Sequence, residues 1–331
     1  MSEPILDIVA IGNAIVDVIS QEDDAFIASH ALTKGGMQLV DTEQAELLYS
    51  AMSSGLEISG GSAANTLAGM AALGCSCAFI GQVRDDQLGD IFAHDIRALG
   101  ISFETAVATD GPPTARCLIM VTPDAQRTMN TFLGASQFLP PSALDLDMIR
   151  SARILYLEGY LWDPEQPRAA MRSAIAAARE AGREVAFTLS DAFVIARHGD
   201  DFRALIEEGQ IDILFSNESE ITALAGTNDV EKAIATFAPR LRTLVVTRSE
   251  KGAIAIRDGE RHTVTAAPVE KVLDTTGAGD LFTAGFLAGY VRGKAPTQCL
   301  EMGALCAAEV ISHYGARPEK DLKGLLGGLL D

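Results

Sequence analysis

Asp274-Thr275-Thr276-Gly277-Ala278-Gly279-Asp280 leads into Leu281-Phe282-Thr283-Ala284-Gly285-Phe286-Leu287-Ala288-Gly289-Tyr290. Three slim residues, Gly277, Ala278 and Gly279, stand at the start of an apolar helix. Their N–H groups can point at an anion with little steric obstruction, and the helix dipole favours negative charge there. Asp280 falls in the first turn, beside that anion site. A carboxylate so placed suits removing a proton from an attacking hydroxyl. The alternative is a glycine-rich helix start with Asp280 as an ordinary first-turn charge, and the full seven-residue string weighs against it.

Upstream, the chain has a strand–helix–strand rhythm. Ile5–Ile11 is β-rich and ends at Gly12-Asn13, and Gly60-Gly61-Ser62 follows a loop and opens an Ala-rich helix stopped by Gly74. Cys77–Gly81 reads as a strand and Asp85-Asp86 as the start of a helix closing near Gly100. The rhythm then breaks. Ser102–Thr109, Ala115–Thr122 and Arg127–Leu133 are strand-like with no helix between them, and Lys34–Asp41 is a candidate to join them. From Ile154 strands and helices alternate again, with a helix near Asp200–Glu208, a hairpin around Asp258-Gly259 and a helical last third. The expected fold is α/β, one doubly wound, mostly parallel sheet, with a small inserted β-sheet lid built from about 13–20, 34–41 and 102–133.

Composition sets outer limits. Hydrophobic residues are 48% and charged residues 21% of 331, which excludes general disorder and disulfide scaffolds. With 26 basic and 45 acidic residues the formal charge is −19, unsuited to wrapping nucleic acid or docking on an anionic membrane. Any anionic substrate needs a locally positive site. The 5 cysteines form no C-x-x-C and read as free thiols in a reducing compartment, and the 5 histidines form no zinc pattern. The opening Met-Ser-Glu-Pro lacks a basic region and no long uncharged apolar run occurs, so the expected location is the cytoplasm. There is no G-x-x-x-x-G-K-[ST], which excludes a P-loop.

Asp274–Asp280 resembles the C-terminal signature of the PfkB, or ribokinase-like, carbohydrate and nucleoside kinases. Gly60-Gly61-Ser62-Ala63-Ala64-Asn65 resembles the family's Gly-Gly element, and Gly81–Gly89 its G-x-V-G-D-D-x-x-G stretch with Arg84 in place of Gly. Asn217-Glu218-Ser219-Glu220 is similar to its N-x-x-E motif, and Val246–Gly252 to its V-T-x-G-x-x-G strand end, with Ser249 in place of Gly. These come in family order. The resemblance implies ATP-dependent phosphorylation of a sugar or nucleoside hydroxyl, with Asp280 as base and Gly277, Ala278 and Gly279 as anion hole. It implies that Asn217 and Glu220 position Mg²⁺ through water, although the same pair has the spacing of a helix capping box. Thr247 and Gly252 would lie along ATP, Thr247 being equally suited to closing a strand. Arg127 resembles an Arg that reaches toward phosphate, or else lies on a solvated strand face.

At the acceptor end, Asp17 can accept from two vicinal hydroxyls at once, with Asn13, Gly60, Gly61 and Asn65 beside it. Asn65 also reads as a surface position of an Ala-rich helix. Gly12–Asp17, Leu189-Ser190-Asp191-Ala192-Phe193 and Gly159-Tyr160 resemble adenosine kinases more than fructokinases or ribokinases. Tyr160, Phe193 and Met37 are candidates for a purine-facing surface, against plain packing. The resemblance also allows K⁺ at Asp274 and Thr276, near Ser312–Ala316, though the residues do not demand the ion. The expectation is a nucleoside kinase, adenosine first. A sugar kinase of the same family is the alternative, and a non-catalytic binding protein the alternative of another class. The protein would be a monomer or a homodimer.

Overall fold

The computed structural model describes residues 5–124 and 126–330; the Met1–Pro4 opening lies outside the described residues. Among the described residues, thirteen strands run in chain order: β1 (Leu6–Ile11), β2 (Ile15–Gln21), β3 (Met37–Leu39), β4 (Leu56–Gly60), β5 (Cys77–Ile80), β6 (Ala115–Val121), β7 (Arg127–Phe132), β8 (Ala152–Glu158), β9 (Glu184–Thr188), β10 (Ile213–Asn217), β11 (Thr243–Thr247), β12 (Ala253–Arg257) and β13 (Glu260–Val264). They make an 8-stranded sheet in the order β13-β12-β11-β10-β9-β8-β1-β5 and a 5-stranded sheet in the order β3-β7-β6-β2-β4. The large sheet is parallel except for the β11–β12–β13 meander.

The large sheet is buried on both faces, as parallel sheets are. Along β1, Ile8 and Ala10 enter one core while Val9 and Ile11 enter the other, the alternation of a pleated strand. One face is covered by the Ser62–Ala72, Ala278–Val291 and Pro296–Val310 helices, the other by helices such as Glu165–Glu180 and Ala192–Glu207. The Ala278–Val291 helix is buried from Leu281 to Val291, which explains why its sequence is apolar on every side. Order reverses at β1, with β8 on one side and β5 on the other. Such a switch opens a crevice beyond the strands' carboxyl ends.

The second sheet grows from that crevice, since only three residues separate the end of β1 from the start of β2. In β2, Val16, Val18 and Ser20 are buried while Ile15, Asp17 and Ile19 are half-buried, so Asp17 lies on the more open face. Asp17 is paired with Ile58 of β4 and Cys117 of β6.

Three expectations are corrected. Ser102–Thr109 is no strand of the second sheet. It bridges β5 once, at Ser102–Ala78, and the loop after β5 once, at Ala108–Arg84, and Gln82 Nε2 donates to Ala106 O at 2.9 Å, so its backbone is satisfied largely by a loop. Gly60 ends the strand β4, which pairs with β2 over five residues, so the Gly60-Gly61 element does not follow a loop. The helix expected near Asp200 begins at Ala192, because the Asp191 side chain caps it by accepting from Val194 N at 3.2 Å. All five cysteines are free and buried, and among the described residues no helix is long and apolar enough to cross a membrane.

Candidate active site

The chemistry-bearing residues gather at the carboxyl ends of the large sheet. β1 delivers Asn13, β8 ends in Glu158, β10 in Asn217 and β11 in Thr247. Asn217 and Thr247 are direct register partners, so two motifs distant in sequence become neighbours.

Gly277 caps the Ala278–Val291 helix with φ +77°, and a Cβ there would fall 2.7 Å from Ala316 Cβ, so only glycine fits this turn. A Cβ on Gly279 would meet nothing within 4 Å, so the helix start faces open space. Beside it is a cavity of about 590 Å³. Asn217, Thr247, Ser249, Gly252, Thr275 and Gly279 line it, together with an apolar wall that includes Val272, Phe282 and Ala304. Gly252 has φ +84° and a Cβ there would fall 1.9 Å from Val264 O.

Asp280 is held from the Ser62–Ala72 helix. Ser62 Oγ donates to its Oδ1 at 2.6 Å and Asn65 Nδ2 to its Oδ2 at 3.1 Å. Asn65 is therefore not a surface residue: it is 6% exposed, and its Oδ1 is buried without a hydrogen-bond partner. Burial pushes the Asp280 carboxyl up, while the two donors and the Arg317 charge hold it down. Asp17 is pushed by burial up to about 6, restrained by Arg317 and Arg127 and raised further by Asp280. A Cβ on Gly60 would fall 2.6 Å from the Asp17 carboxyl carbon, and one on Gly61, with φ +96°, 2.3 Å from Asn13 O. The Gly-Gly pair thus lets the helix bearing Ser62 and Asn65 approach the start of β2.

Asn13 does not face an open site. Its side chain is spent on Glu158 Oε1, to which Nδ2 donates at 2.6 Å, and on Ser136, whose hydroxyl donates to Oδ1 at 2.7 Å. Glu158 is fully buried, accepts also from the N–H groups of Asn13 and Ala63, and is pushed by burial up to about 7. Arg317 is the local cation. It donates to the carbonyls of Ser59 and Ala64 at 2.8 Å, and its charge faces Asp17 and Asp280. Sequence reasoning missed Ser62, Glu158, Ser136 and Arg317. A carboxylate ending the apolar run Ile154–Leu157 was the available signal for Glu158.

Asn217 and Glu220 do form the capping box: Asn217 Oδ1 accepts from Glu220 N at 2.8 Å and Asn217 N–H donates to Glu220 Oε2 at 2.9 Å. Asn217 lines the cavity. Glu220 lies buried behind it, without an ion pair among the described residues, and burial raises it to about 7 with Asp191 adding repulsion. Both Glu220 oxygens accept from Asn217, so a divalent cation at the cavity would meet Asn217 first and Glu220 through water. Asp274 and Thr276 do not fit K⁺ in the same way. The Asp274 carboxylate is taken up by Arg127, Thr276 and Gly315, which also removes Arg127 from a solvated strand face.

Tyr160, Phe193 and Met37 are exposed to 37%, 74% and 53%, so none is a core residue. Tyr160 follows β8 and Phe193 opens the helix after β9, whereas Met37 lies on β3 of the second sheet. Of the two departures from the family pattern, Arg84 keeps an ordinary φ and points its guanidinium to Gly111 O. Ser249 has φ +51°, the conformation glycine would supply.

The pfkB family carbohydrate kinase model matches residues 7–322. The chain belongs to the PfkB kinase family. A probable sugar kinase from Rhizobium etli is 45% identical, with a TM-score of 0.89 over 97% of each chain. The adenosine kinase from Sinorhizobium meliloti is 46% identical, with a TM-score of 0.88 over 96% of this chain and 98% of that one. Fructokinase-2 from Solanum lycopersicum is 28% identical over 276 residues, 80% of this chain and 84% of its own. This PfkB kinase is a phosphotransferase acting on a nucleoside or sugar, and kinases of its family use ATP with Mg²⁺.

Proposed function

We propose that this PfkB kinase transfers the γ-phosphoryl of ATP to the 5′-hydroxyl of a nucleoside, adenosine in the first place. The exposure of Tyr160, Phe193 and Met37 carries the reading. Apolar side chains left uncovered suit a purine face, which a free hexose does not need, and Tyr160 among them lies within reach of the Asp280 charge. The 46% identity to the adenosine kinase from Sinorhizobium meliloti supports it.

In this reading Asp17 and Asn65 take the ribose hydroxyls, the orphaned Asn65 Oδ1 accepting one of them. Asn13, spent on Glu158 and Ser136, keeps β2 in place instead of touching the nucleoside. The 5′-hydroxyl gives its proton to Asp280, and the helix start at Gly277–Gly279 faces the charge on the moving phosphoryl group. ATP lies in the 590 Å³ cavity along Thr247 and Gly252. Mg²⁺, held through water by Asn217 and Glu220, screens phosphate charge when bound. The second sheet is the lid that excludes water. The free, buried cysteines suit a reducing compartment such as the cytoplasm.

The sugar-kinase reading keeps support from the fructokinase and the probable sugar kinase among the relatives. Incubation with Mg·ATP and adenosine, followed by phosphorus NMR of the product, tests the proposal. AMP as the product supports it. ADP release with fructose but not with adenosine overturns it.

A further inference from the structure

The carboxylate of Asp274 has no room left for a second cation. Its Oδ1 accepts from the Thr276 hydroxyl at 2.6 Å and from the Thr276 N–H at 3.0 Å, and its Oδ2 accepts from the Gly315 N–H at 3.0 Å. The Arg127 guanidinium closes the same Oδ2 as an ion pair, and Arg127 Nη1 also donates to Thr276 Oγ1 at 3.4 Å. Both side chains are buried, at 8% and 7% exposure. Two positive charges on one face of a buried carboxylate repel strongly, because little water screens them.

We infer that Arg127 is the built-in counter-ion of Asp274. It takes the position that a monovalent cation would need, and it ties the turn before Gly277 to β7 of the second sheet. Asp274 braces that turn from both sides, through Thr276 within it and Gly315 beyond it, while Gly277 rests on Ala316. An unneutralised carboxylate would be costly at this depth, and Arg127 removes the charge without an ion from solution. Arg127 is thus a positioning residue for the anion site, and the enzyme works without K⁺.

The test compares the full chain in KCl and in choline chloride of equal ionic strength, by thermal melting and by initial kinase rate. The wild type is expected to melt at the same temperature and turn over at the same rate in both salts. Arg127→Met is expected to lose roughly tenfold in rate. It should also melt higher in KCl than in choline chloride, because Asp274 is now free to take K⁺. Arg127→Gln, closer in polarity, serves if the Met variant does not fold. Higher melting and a several-fold faster rate of the wild type in KCl would overturn the inference. Equal melting of a folded Arg127 variant in both salts would overturn it too, since a vacated cation position would then not exist. The melting readout needs no acceptor, so it stands apart from the identity of the nucleoside or sugar.

Discussion

The Ser62 hydroxyl donates to the Asp280 carboxylate at 2.6 Å, across 218 residues of chain. This bond favours the charged form of a carboxyl that burial pushes toward the neutral one. A general base works only when deprotonated, so Ser62 sets how far down in pH the enzyme functions. Ser62→Ala should move the acid limb of the kcat–pH profile upward and lower kcat at neutral pH by about tenfold. Asp280→Asn should fold normally and lose at least about two orders of magnitude in kcat at every pH. A Ser62→Ala profile superimposable on the wild type would remove Ser62 from the account.

Asp17 makes a prediction about stability. Its carboxyl is raised to about 6 in the folded protein, from 3.8, with burial as the main cause. The folded state therefore holds the proton more tightly than the unfolded chain. Its contribution is fully present below the ordinary carboxylate range and is lost as pH rises through about 6. Asp17→Asn should stabilise the protein at pH ~8 relative to the wild type, by on the order of 1–3 kcal/mol, with the gain vanishing near pH ~4. Urea unfolding at the two pH values measures this. Asp17→Ala should raise KM for the acceptor and leave KM for ATP nearly unchanged.

Glu220 can be separated from its capping role. Gln at the same place keeps the bond from the cap N–H and gives up the one from Asn217 Nδ2. Glu220→Gln should therefore stay folded with a small loss of melting temperature, yet need about tenfold more Mg²⁺ for half-maximal rate, as one charge facing the cation is gone. A Mg²⁺ titration at fixed ATP decides it. An unchanged midpoint would leave Glu220 with the helix cap alone.

Ser249 holds a left-handed backbone at φ +51° where related kinases carry glycine. Ser249→Gly should relieve that strain and stabilise the fold by about 0.5–1 kcal/mol, read in the midpoint of chemical unfolding. Destabilisation would mean that the serine side chain is worth more than the strain it imposes.

The parts of this fold that are legible in sequence are those whose cause is local. The Gly277–Asp280 turn, the alternation of β1 and the capping spacing of Asn217 and Glu220 each carry their reason within a few residues. Ser102–Thr109 misleads because its alternation is that of a strand, yet β5 offers it a single bridge, Arg84 another, and Gln82 takes part of its backbone. Leu56–Gly60 hides as a loop because β2, its partner, lies far upstream. Asn13 reads as a ligand-facing residue until Glu158 and Ser136 arrive on its amide. Arg317 carries no local mark at all; its meaning comes from Asp17 and Asp280, brought to it by two different elements.

The central claim is that the acceptor carries a purine as well as a ribose. The direct measurement is kcat/KM for adenosine, ribose and fructose, at saturating Mg·ATP and neutral pH. Adenosine is expected to exceed both free sugars by about a hundredfold or more, since the base supplies binding energy that they lack. Fructose or ribose equalling adenosine would contradict it, and would return Tyr160, Phe193 and Met37 to surface residues without a part in recognition.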